Sequence, residues 1–289
     1  MNKSKNILIT GASTGIGHDL CKSFVAAGYR VYGSVRKQKD ADRLREELGE
    51  NFHSLLFDVT DHEAVDRAAE QLIEELGDEG LGGLINNAGI AIGGPFAHVD
   101  IEEYRYQFEV NVIGLVKVSQ AFLPLLGYRE NHKTAPGKII NISSVAGKMA
   151  MPFIAPYVGS KHAVEGISHS MRRELQLFGI DVIIIGPGAV KTPIWHKGGS
   201  EETNAKYLAT PFGKSLGIFQ NVFVKGAVKQ GFESDKLAAD ILVVFEKNKP
   251  KTRYGMVAQK FKTWTLPNML SDRMLDKAVG KSLKLLRNK

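Results

Sequence analysis

The chain has 289 residues, of which 43% are hydrophobic and 24% are charged, and its net charge is +7. This composition excludes collagen-like and disordered proteins and is typical of a soluble globular chain. The basic excess lies at the end of the chain, where residues 260–289 hold eight Lys or Arg against Asp272 and Asp276. We therefore expect no nucleic-acid-binding surface on the rest of the protein.

Features that would place the protein in a membrane or outside the cell are not expected. The chain contains no run of 18 apolar residues, so we expect no transmembrane helix. The polar segment before the first predicted strand is too short for a signal peptide. The single cysteine, Cys21, excludes an internal disulfide framework and favours a reducing compartment, which we take to be the cytoplasm. The histidines show no ligand spacing, so we expect no metal.

Strand-like and helix-like segments alternate from the first residues. Apolar runs predict strands over Asn6–Thr10, Arg30–Val35, His53–Asp58, Leu84–Asn87, Lys138–Ser143, Asp181–Ile185 and Arg253–Val257. Helical spacing predicts helices over Ile16–Ala27, Ala41–Leu48, Val65–Leu76, Glu102–Leu126, Tyr157–Phe178 and Ser234–Lys247. Strands separated by helices require a parallel sheet covered on both faces, so we predict a doubly wound α/β fold of three layers.

The pattern divides the chain into two parts, the first of which contains an insertion. Residues 1–259 are predicted to form one nucleotide-binding and catalytic domain. Within it, residues 189–233 are too long for an ordinary connection and predict an insertion that acts as a substrate lid. Residues 260–289 form a basic tail with helical spacing.

A glycine cluster, Thr10-Gly11-Ala12-Ser13-Thr14-Gly15-Ile16-Gly17, separates the first predicted strand from the first helix. Glycines at this place allow a tight turn and let the backbone approach a pyrophosphate at the helix N-terminus. The end of the second strand indicates which dinucleotide binds, because an acid there would hold the ribose of NAD. Arg36 and Lys37 stand there instead, which favours the 2′-phosphate of NADP over NAD.

Tyr157 and Lys161 are four residues apart in a predicted helix, so their side chains share one face. An ammonium beside a phenol favours the phenolate, which predicts that Lys161 lowers the pKa of Tyr157 from about 10 toward neutrality. Such a phenol can exchange a proton with an alcohol or ketone. The spacing alone favours an ordinary contact on a helix surface, because such pairs arise by chance in most chains of this size.

Together these motifs resemble the short-chain dehydrogenases/reductases in their compact single-domain form. The resemblance runs from Lys5 to about Val257 and rests on Thr10–Gly17, Asp58-Val59, Asn86-Asn87-Ala88-Gly89, Asn111, Ser143-Ser144, Tyr157-x-x-x-Lys161 and Pro187-Gly188 with Thr192. It implies a Rossmann-type fold and an oxidoreductase that transfers a hydride between NADP(H) and an alcohol or carbonyl.

The resemblance also implies the role of each site residue. Tyr157 would be the acid–base, and Lys161 would assist it and hold the nicotinamide ribose. The family's serine lies thirteen residues before the tyrosine, which selects Ser144 as the group that stabilises the substrate oxygen. Asn111 would hold a water molecule in a proton relay. With Arg36, Tyr157 and Lys161, the implied cofactor contacts are Gly11, Ser13, Thr14, Gly15, Ile16, Gly17, Asp58, Val59, Asn87, Ala88, Gly89, Pro187, Gly188, Val190 and Thr192.

The substrate is less well defined by the sequence. The apolar stretch between Ser144 and Tyr157 offers Met149 and Phe153 either to a lipophilic ligand or to the core, and Trp195 in the insertion is a candidate lid residue. Within the family, the insertion and the end of the second strand look most like the branch that acts on steroids, retinoids and other lipophilic alcohols or ketones.

Three further hypotheses stay open at this point. The chain could be a catalytically silent nucleotide-binding or scaffold protein of the same fold, or a 3-ketoacyl-type reductase. The basic tail is compatible with a membrane surface, with a partner chain or with docking on its own domain. We also expect the protein to form a homo-oligomer.

Overall fold

A parallel sheet forms the centre of the protein. The computed structural model describes residues 3–128, 134–194, 201–258, 264–265 and 269–287. Within these residues, seven strands pair in the order β3-β2-β1-β4-β5-β6-β7, and all pairs are parallel. The strands are β1 (Asn6–Ile9), β2 (Arg30–Val35), β3 (Phe52–Leu56), β4 (Gly83–Asn86), β5 (Lys138–Ile142), β6 (Asp181–Pro187) and β7 (Arg253–Met256).

Helices connect the strands and cover both faces of the sheet. They are α1 (Gly15–Ala26), α2 (Gln38–Leu48), α3 (His62–Leu76), α4 (Ile101–Phe108), α5 (Gly114–Phe122), α6 (Ala155–Leu175), α7 (Glu201–Leu208), α8 (Gly213–Phe219), α9 (Lys225–Gln230), α10 (Ser234–Glu246) and α11 (Asp272–Ser282). The predicted doubly wound α/β fold of three layers is confirmed.

Each strand contributes side chains to two separate apolar cores. On β1, Ile7 and Ile9 pack with α1 and α10 on one face, whereas Leu8 packs with α3 and α5 on the other. This alternation is what a strand requires when it is buried on both sides. It explains why the strands appear in the sequence as almost continuous apolar runs.

A buried polar network ties two helices to the middle of the sheet. Asn86 on β4 donates from Nδ2 to Ser119 Oγ on α5 and to Asn141 Oδ1 on β5, each at 2.9 Å. Asn141 in turn donates from Nδ2 to Ser168 Oγ on α6 at 2.8 Å. Because buried amides must find partners, this network fixes the distance of both helices from the strands.

The long helix predicted over Glu102–Leu126 differs in the structure. It consists of α4, a π-helical turn at Glu109–Ile113, α5 and a final 3₁₀ turn at Leu123–Leu126. By length and composition the segment Ile101–Leu126 could cross a membrane, but 56% of its most apolar window is buried inside the fold. The segment therefore has the character of a core helix.

The predicted lid insertion begins and ends at one isolated bridge, Val190 to Phe232. Between these residues lie α7, α8 and α9. The tail helix α11 docks against this region, since Leu283 is fully buried beside Leu216 and Phe219 of α8. The tail therefore packs on the lid of its own chain, which is one of the three arrangements left open by the sequence.

Candidate functional site

The carboxyl ends of β1 and β4 form the point where the strand order reverses. In parallel α/β sheets this crevice is where ligands bind. Thr10 Oγ1 accepts hydrogen bonds from the backbone N–H groups of Asn87 and Ala88, each at 3.0 Å. Asn87 Nδ2 donates back to the Thr10 carbonyl at 2.9 Å. These bonds hold the glycine loop and the Asn87–Gly89 segment together as one rigid edge.

The loop requires glycines because neighbouring backbone atoms lie too close for a side chain. Gly11 has φ +69°, and a Cβ there would lie 2.9 Å from Ala88 Cα. Gly17 is tighter still, because a Cβ would lie 2.2 Å from the Gly11 carbonyl oxygen. Thr14 precedes α1 without capping it through its side chain, which leaves the first N–H groups of α1 available to a phosphate.

At one end of the crevice, Arg36 and Asp58 follow β2 and β3. Arg36 Nη1 lies 3.4 Å from Asp58 Oδ2, and the Arg36 side chain is 59% exposed. Asp58 is held in place because its Oδ1 accepts hydrogen bonds from the backbone and hydroxyl of Thr60, at 3.1 and 3.0 Å. An exposed guanidinium on a fixed carboxylate can turn toward a phosphate without losing a buried partner.

Ser144, Tyr157 and Lys161 meet at the other end of the crevice. Ser144 Oγ accepts from the Ala146 N–H at 3.1 Å, which fixes the hydroxyl at the end of β5. Lys161 is 6% exposed, and its Nζ donates to the Ile142 carbonyl at 2.8 Å and lies 5.7 Å from the centre of the Tyr157 ring. The four-residue spacing on α6 thus brings phenol and ammonium to one face, as predicted.

The pKa values in this group differ from the sequence prediction. Burial raises the pKa of the Tyr157 phenol, and its hydrogen bond with Ser144 only partly lowers it. Burial lowers the pKa of the Lys161 ammonium to about 8, and the Glu165 carboxylate opposes this. The predicted net shift of the Tyr157 pKa toward neutrality is wrong for this structure, because burial raises that pKa and the Lys161 ammonium points at the Ile142 carbonyl.

A single cleft of about 350 Å³ joins the two ends. The predicted residues that line it are Gly11, Ser13, Thr14, Gly15, Ile16, Arg36, Asp58, Val59, Asn87, Ala88, Gly89, Ser144, Tyr157, Lys161, Pro187, Gly188, Val190 and Thr192. Sequence reasoning missed further lining residues, which are Ser34, Val35, Phe57, Ile90, Ala91, Ile92, Tyr106, Val110, Ile142, Ser143, Pro193 and Ile194. Most of these directly adjoin a predicted motif or strand end, and this adjacency was the available signal.

Two predicted residues, Gly17 and Asn111, stand behind the cleft wall. Asn111 lies in the π-helical turn and is 2% exposed. Its Nδ2 donates to the Ile90 carbonyl at 3.0 Å and to Ser160 Oγ at 3.1 Å, and its Oδ1 accepts from the Ile90 N–H at 2.9 Å. These bonds brace the Ile90 segment of the wall; the water-relay role of Asn111 stays a prediction.

Two predicted substrate contacts, Met149 and Phe153, do not line the cleft that holds Ser144, Tyr157 and Lys161. Phe153 is 6% exposed and packs against Phe219 of the lid at a ring distance of 5.6 Å. Its backbone has φ 67°, in the left-handed region, and its carbonyl accepts from the Gly94 N–H. Met149 is half-buried and does not line the cleft. Trp195 lies outside the described residues. Substrate contact by these three stays a prediction.

The residues present fit a nicotinamide dinucleotide. The cleft is open at the glycine loop, where side chains cannot be accommodated, and it ends at a cation on one side and a phenol on the other.

Comparison with known proteins agrees with this geometry. The profile of the short chain dehydrogenase family matches residues 5–203. The chain belongs to the short-chain dehydrogenase family. This short-chain dehydrogenase is 42% identical to the NADPH-dependent 3-dehydrocapnine reductase of Ornithobacterium rhinotracheale over 96% of this chain and 97% of that protein. It is 32% identical to 17-beta-hydroxysteroid dehydrogenase type 6 of Bos taurus, over 96% and 89% of the two chains. These relatives place it in the steroid/retinoid-type branch.

Solved structures share the fold. A short-chain dehydrogenase from Streptomyces avermitilis superimposes with a TM-score of 0.76 at 26% identity, and the match covers 100% of both chains. The closed form of a serine dehydrogenase complexed with NADP+ has a TM-score of 0.69 at 25% identity, covering 87% of this chain and 94% of that one.

Proposed function

We propose that this short-chain dehydrogenase is an NADPH-dependent reductase of a ketone on a lipophilic substrate. The observation that carries the proposal is the single cleft that joins the glycine loop and Arg36 to Ser144, Tyr157 and Lys161. One end fits a phosphorylated dinucleotide, and the other fits an oxygen that must gain or lose a proton.

In the proposed mechanism the chain supplies position and proton transfer. Ser144, held by the Ala146 N–H, donates its hydroxyl hydrogen to the substrate oxygen and stabilises negative charge there. Tyr157, whose raised pKa keeps it protonated at neutral pH, gives its proton to the same oxygen. Lys161 stays largely protonated below its pKa of about 8 and favours the phenolate that results. NADPH, when bound, supplies the hydride.

The preference for NADPH rests on Arg36. Its exposed guanidinium lies at the end of β2, where no carboxylate precedes it to repel a 2′-phosphate. The NADPH-dependent relative and the NADP+-bound structural neighbour support this choice. Asp58, the partner of Arg36, comes from the neighbouring strand β3.

Fluorescence titration of NADPH and NADH tests the cofactor assignment. Arg36→Ala is expected to weaken NADPH binding by about tenfold, because a charge-assisted contact is worth ~1.5–3 kcal/mol and this side chain is partly screened by solvent. Binding of NADH should stay within about twofold. Arg45→Ala, on the exposed side of α2, is the matched control. An unaltered NADPH preference in Arg36→Ala would contradict the assignment.

Apolar side chains in the cleft favour an apolar substrate. Ile90, Ile92 and Ile194 are among the lining residues, and such a surface gains free energy by covering hydrocarbon. The similarity to the 3-dehydrocapnine reductase makes 3-dehydrocapnine the first substrate to test. Steroid ketones, a retinoid aldehyde and a 3-ketoacyl thioester complete a panel read at the nicotinamide absorbance.

Tyr157→Phe tests the chemistry. This variant should lose turnover while it binds NADPH as the wild type does, because only the transferable proton is removed. Tyr128→Phe, a surface control, should be fully active. Turnover by Tyr157→Phe would refute the mechanism. Tight NADPH binding by the wild type without activity on any member of the panel would favour the silent or scaffold protein, and preference for the thioester would favour the 3-ketoacyl-type reductase.

We also propose that the tail binds an anionic membrane surface from a cytoplasmic location. Helix α11 turns Leu283 and Val279 toward the lid, whereas Arg273, Lys277 and Lys281 are exposed. Met274, 57% exposed, and Leu286, 50% exposed, stand among these cations. Cations around exposed apolar side chains complement an anionic lipid surface, where each Lys or Arg contributes about 1 kcal/mol.

Sedimentation with vesicles tests the membrane proposal. The protein should sediment with vesicles of phosphatidylglycerol and phosphatidylcholine, lose this binding as salt rises, and ignore pure phosphatidylcholine. Lys277→Glu with Lys281→Glu should abolish binding, whereas Lys249→Glu with Lys251→Glu, of equal net charge, should not. Absence of wild-type binding to the anionic vesicles refutes the proposal, and salt-sensitive binding to duplex DNA in its place would favour a nucleic-acid partner.

The predicted homo-oligomer stays a proposal. Ile113, between α4 and α5, is 44% exposed, and the partly buried Phe108, Val116 and Ile167 pack against a small apolar cluster that includes its neighbour Val112. This apolar strip would be covered by a second copy of the chain. Light scattering should give twice the monomer mass or more, and Ile113→Glu should shift it toward the monomer. A monomeric wild type would contradict the proposal.

A further inference from the structure

A buried ion pair lies directly beneath the catalytic groups. Glu165 follows Lys161 by one turn of α6 and is 2% exposed. Arg253, the first residue of β7, donates from Nε to both carboxylate oxygens of Glu165, at 3.0 and 2.9 Å. A buried carboxylate is retained only where it is paired, so the two side chains define one another's position.

Arg253 contacts the backbone of Ser144 through a guanidinium nitrogen that is not bonded to Glu165. Arg253 Nη2 lies 3.4 Å from the Ser144 carbonyl oxygen. Room for this nitrogen comes from Gly186 on β6, where a Cβ would lie only 2.5 Å away. The guanidinium also lies over the Trp264 ring, with Arg253 Cζ 4.8 Å from the centre of the ring. Ser144 is thus held from two directions, by its own turn and by β7.

The pair reaches the catalytic lysine through charge. Glu165 and Lys161 are neighbours on one helix face, and the carboxylate opposes the effect of burial on the pKa of the ammonium. The other charged or titratable groups facing Glu165 are Lys148, 3.6 Å away in the segment after Ser144, and His169 on the next turn of α6. Arg172, bonded to His169, completes the set.

We propose that the Glu165–Arg253 pair is a positioning element of the active site, which holds the Ser144 backbone and places a carboxylate one turn from Lys161 on α6. This inference rests on the proposed reductase function and deepens it. Neither residue touches the cleft, so both act through other groups. A motif search would miss the pair, because its members lie 88 residues apart in sequence.

The first experiment does not depend on turnover. Lysine 13C labelling follows the Lys161 Cε resonance, identified by its loss in Lys161→Arg, as the pH is raised. In Glu165→Gln the pKa of Lys161 should fall below its wild-type value, because the carboxylate that opposes the effect of burial on this pKa is then missing. Glu174→Gln, which removes an exposed carboxylate from the same helix, should leave it unchanged. An unchanged Lys161 titration in Glu165→Gln overturns the charge part of the inference.

The second experiment uses the pH dependence of kcat/KM. A carboxylate stabilises the protonated amine, so without it the proton is lost at lower pH. The alkaline limb should therefore move to lower pH in Glu165→Gln, by about one pH unit, and return in Glu165→Asp, which keeps the charge. A purely structural role would lower activity equally at every pH and would leave the limb in place.

The third experiment removes both charges, so that no unpaired charge is left buried. Glu165→Gln with Arg253→Met should lower kcat by about 10- to 100-fold through a displaced Ser144, while the NADPH dissociation constant changes by less than about threefold. A kcat within about twofold of wild type overturns the positioning role. If the wild type reduces no ketone, the proposed function fails, and the Lys161 titration alone decides on the pair.

Discussion

Replacing Gly17 by alanine tests the packing of the glycine loop directly. The new Cβ would lie 2.2 Å from the Gly11 carbonyl oxygen and 2.5 Å from Asn87 Nδ2. Cβ atoms in proteins essentially never lie within 3.0 Å of such neighbours, and both distances are shorter than this limit. The nearer contact is to backbone, so the methyl group can be accommodated only if the loop or the start of α1 moves.

The size of the effect follows from these contacts. Overpacking of this kind costs ~1–3 kcal/mol, and the helix preference of alanine over glycine returns up to about 1 kcal/mol. The displaced loop is the part that would hold the pyrophosphate. We therefore expect Gly17→Ala to lower NADPH affinity by roughly 5- to 150-fold, the range that 1–3 kcal/mol produces, and also to lower the free energy of unfolding.

Gly166→Ala is the matched control. This residue lies within α6, and a Cβ there meets no atom within 4 Å. The substitution should raise the free energy of unfolding by about 0.5–1 kcal/mol and leave NADPH binding unchanged. Fluorescence titration and urea unfolding measure both quantities. If Gly17→Ala bound NADPH like the wild type and were as stable as Gly166→Ala, the steric reasoning would be refuted.

Four further substitutions probe other parts of the structure. Ser144→Ala should lower kcat by about 10²–10³-fold with little change in KM, because it removes one oxyanion donor; steady-state kinetics measure this. Asn141→Ala should cost ~1–3 kcal/mol in urea unfolding, since it removes two buried hydrogen bonds and leaves the Asn86 amide with Ser119 as its remaining partner. Leu283→Ala, at a fully buried position, should cost ~2–5 kcal/mol and speed proteolysis of the tail. Lys284→Gly should raise the Tm, because Lys284 has φ 55° at the end of α11; an unchanged Tm would contradict this account.

The sheet and the cofactor half of the cleft could be predicted from the sequence because their signals are local. An apolar strand such as Ile7–Ile9 and the glycines that follow it stand together in the chain. The order of the strands then places Asn87 against Thr10 without further information. Ser144 was selected by the family resemblance, which places the serine thirteen residues before Tyr157, and its catalytic role stays a prediction.

The rest of the site depends on contacts between distant segments. Phe153 could face a ligand or the core by sequence, and only the folded lid shows it packed against Phe219. The pKa prediction for Tyr157 failed because spacing on a helix gives proximity but says nothing of desolvation. The Glu165–Arg253 pair joins α6 to β7, and neither sequence neighbourhood identifies it.

The π-helical turn at Glu109–Ile113 constrains how the gene can change in length. Such a turn holds one residue more than an α-helical turn. Loss of one residue within the turn would let it close into a regular α-helix, and α4 and α5 would keep their relative orientation, because the turn holds the one extra residue. Loss of a residue elsewhere between Ile101 and Phe122 would instead rotate every residue between the deletion and the turn by about 100°. In-frame deletion of Ile113, the exposed residue of the turn, should therefore be tolerated better than deletion of a single residue within α5.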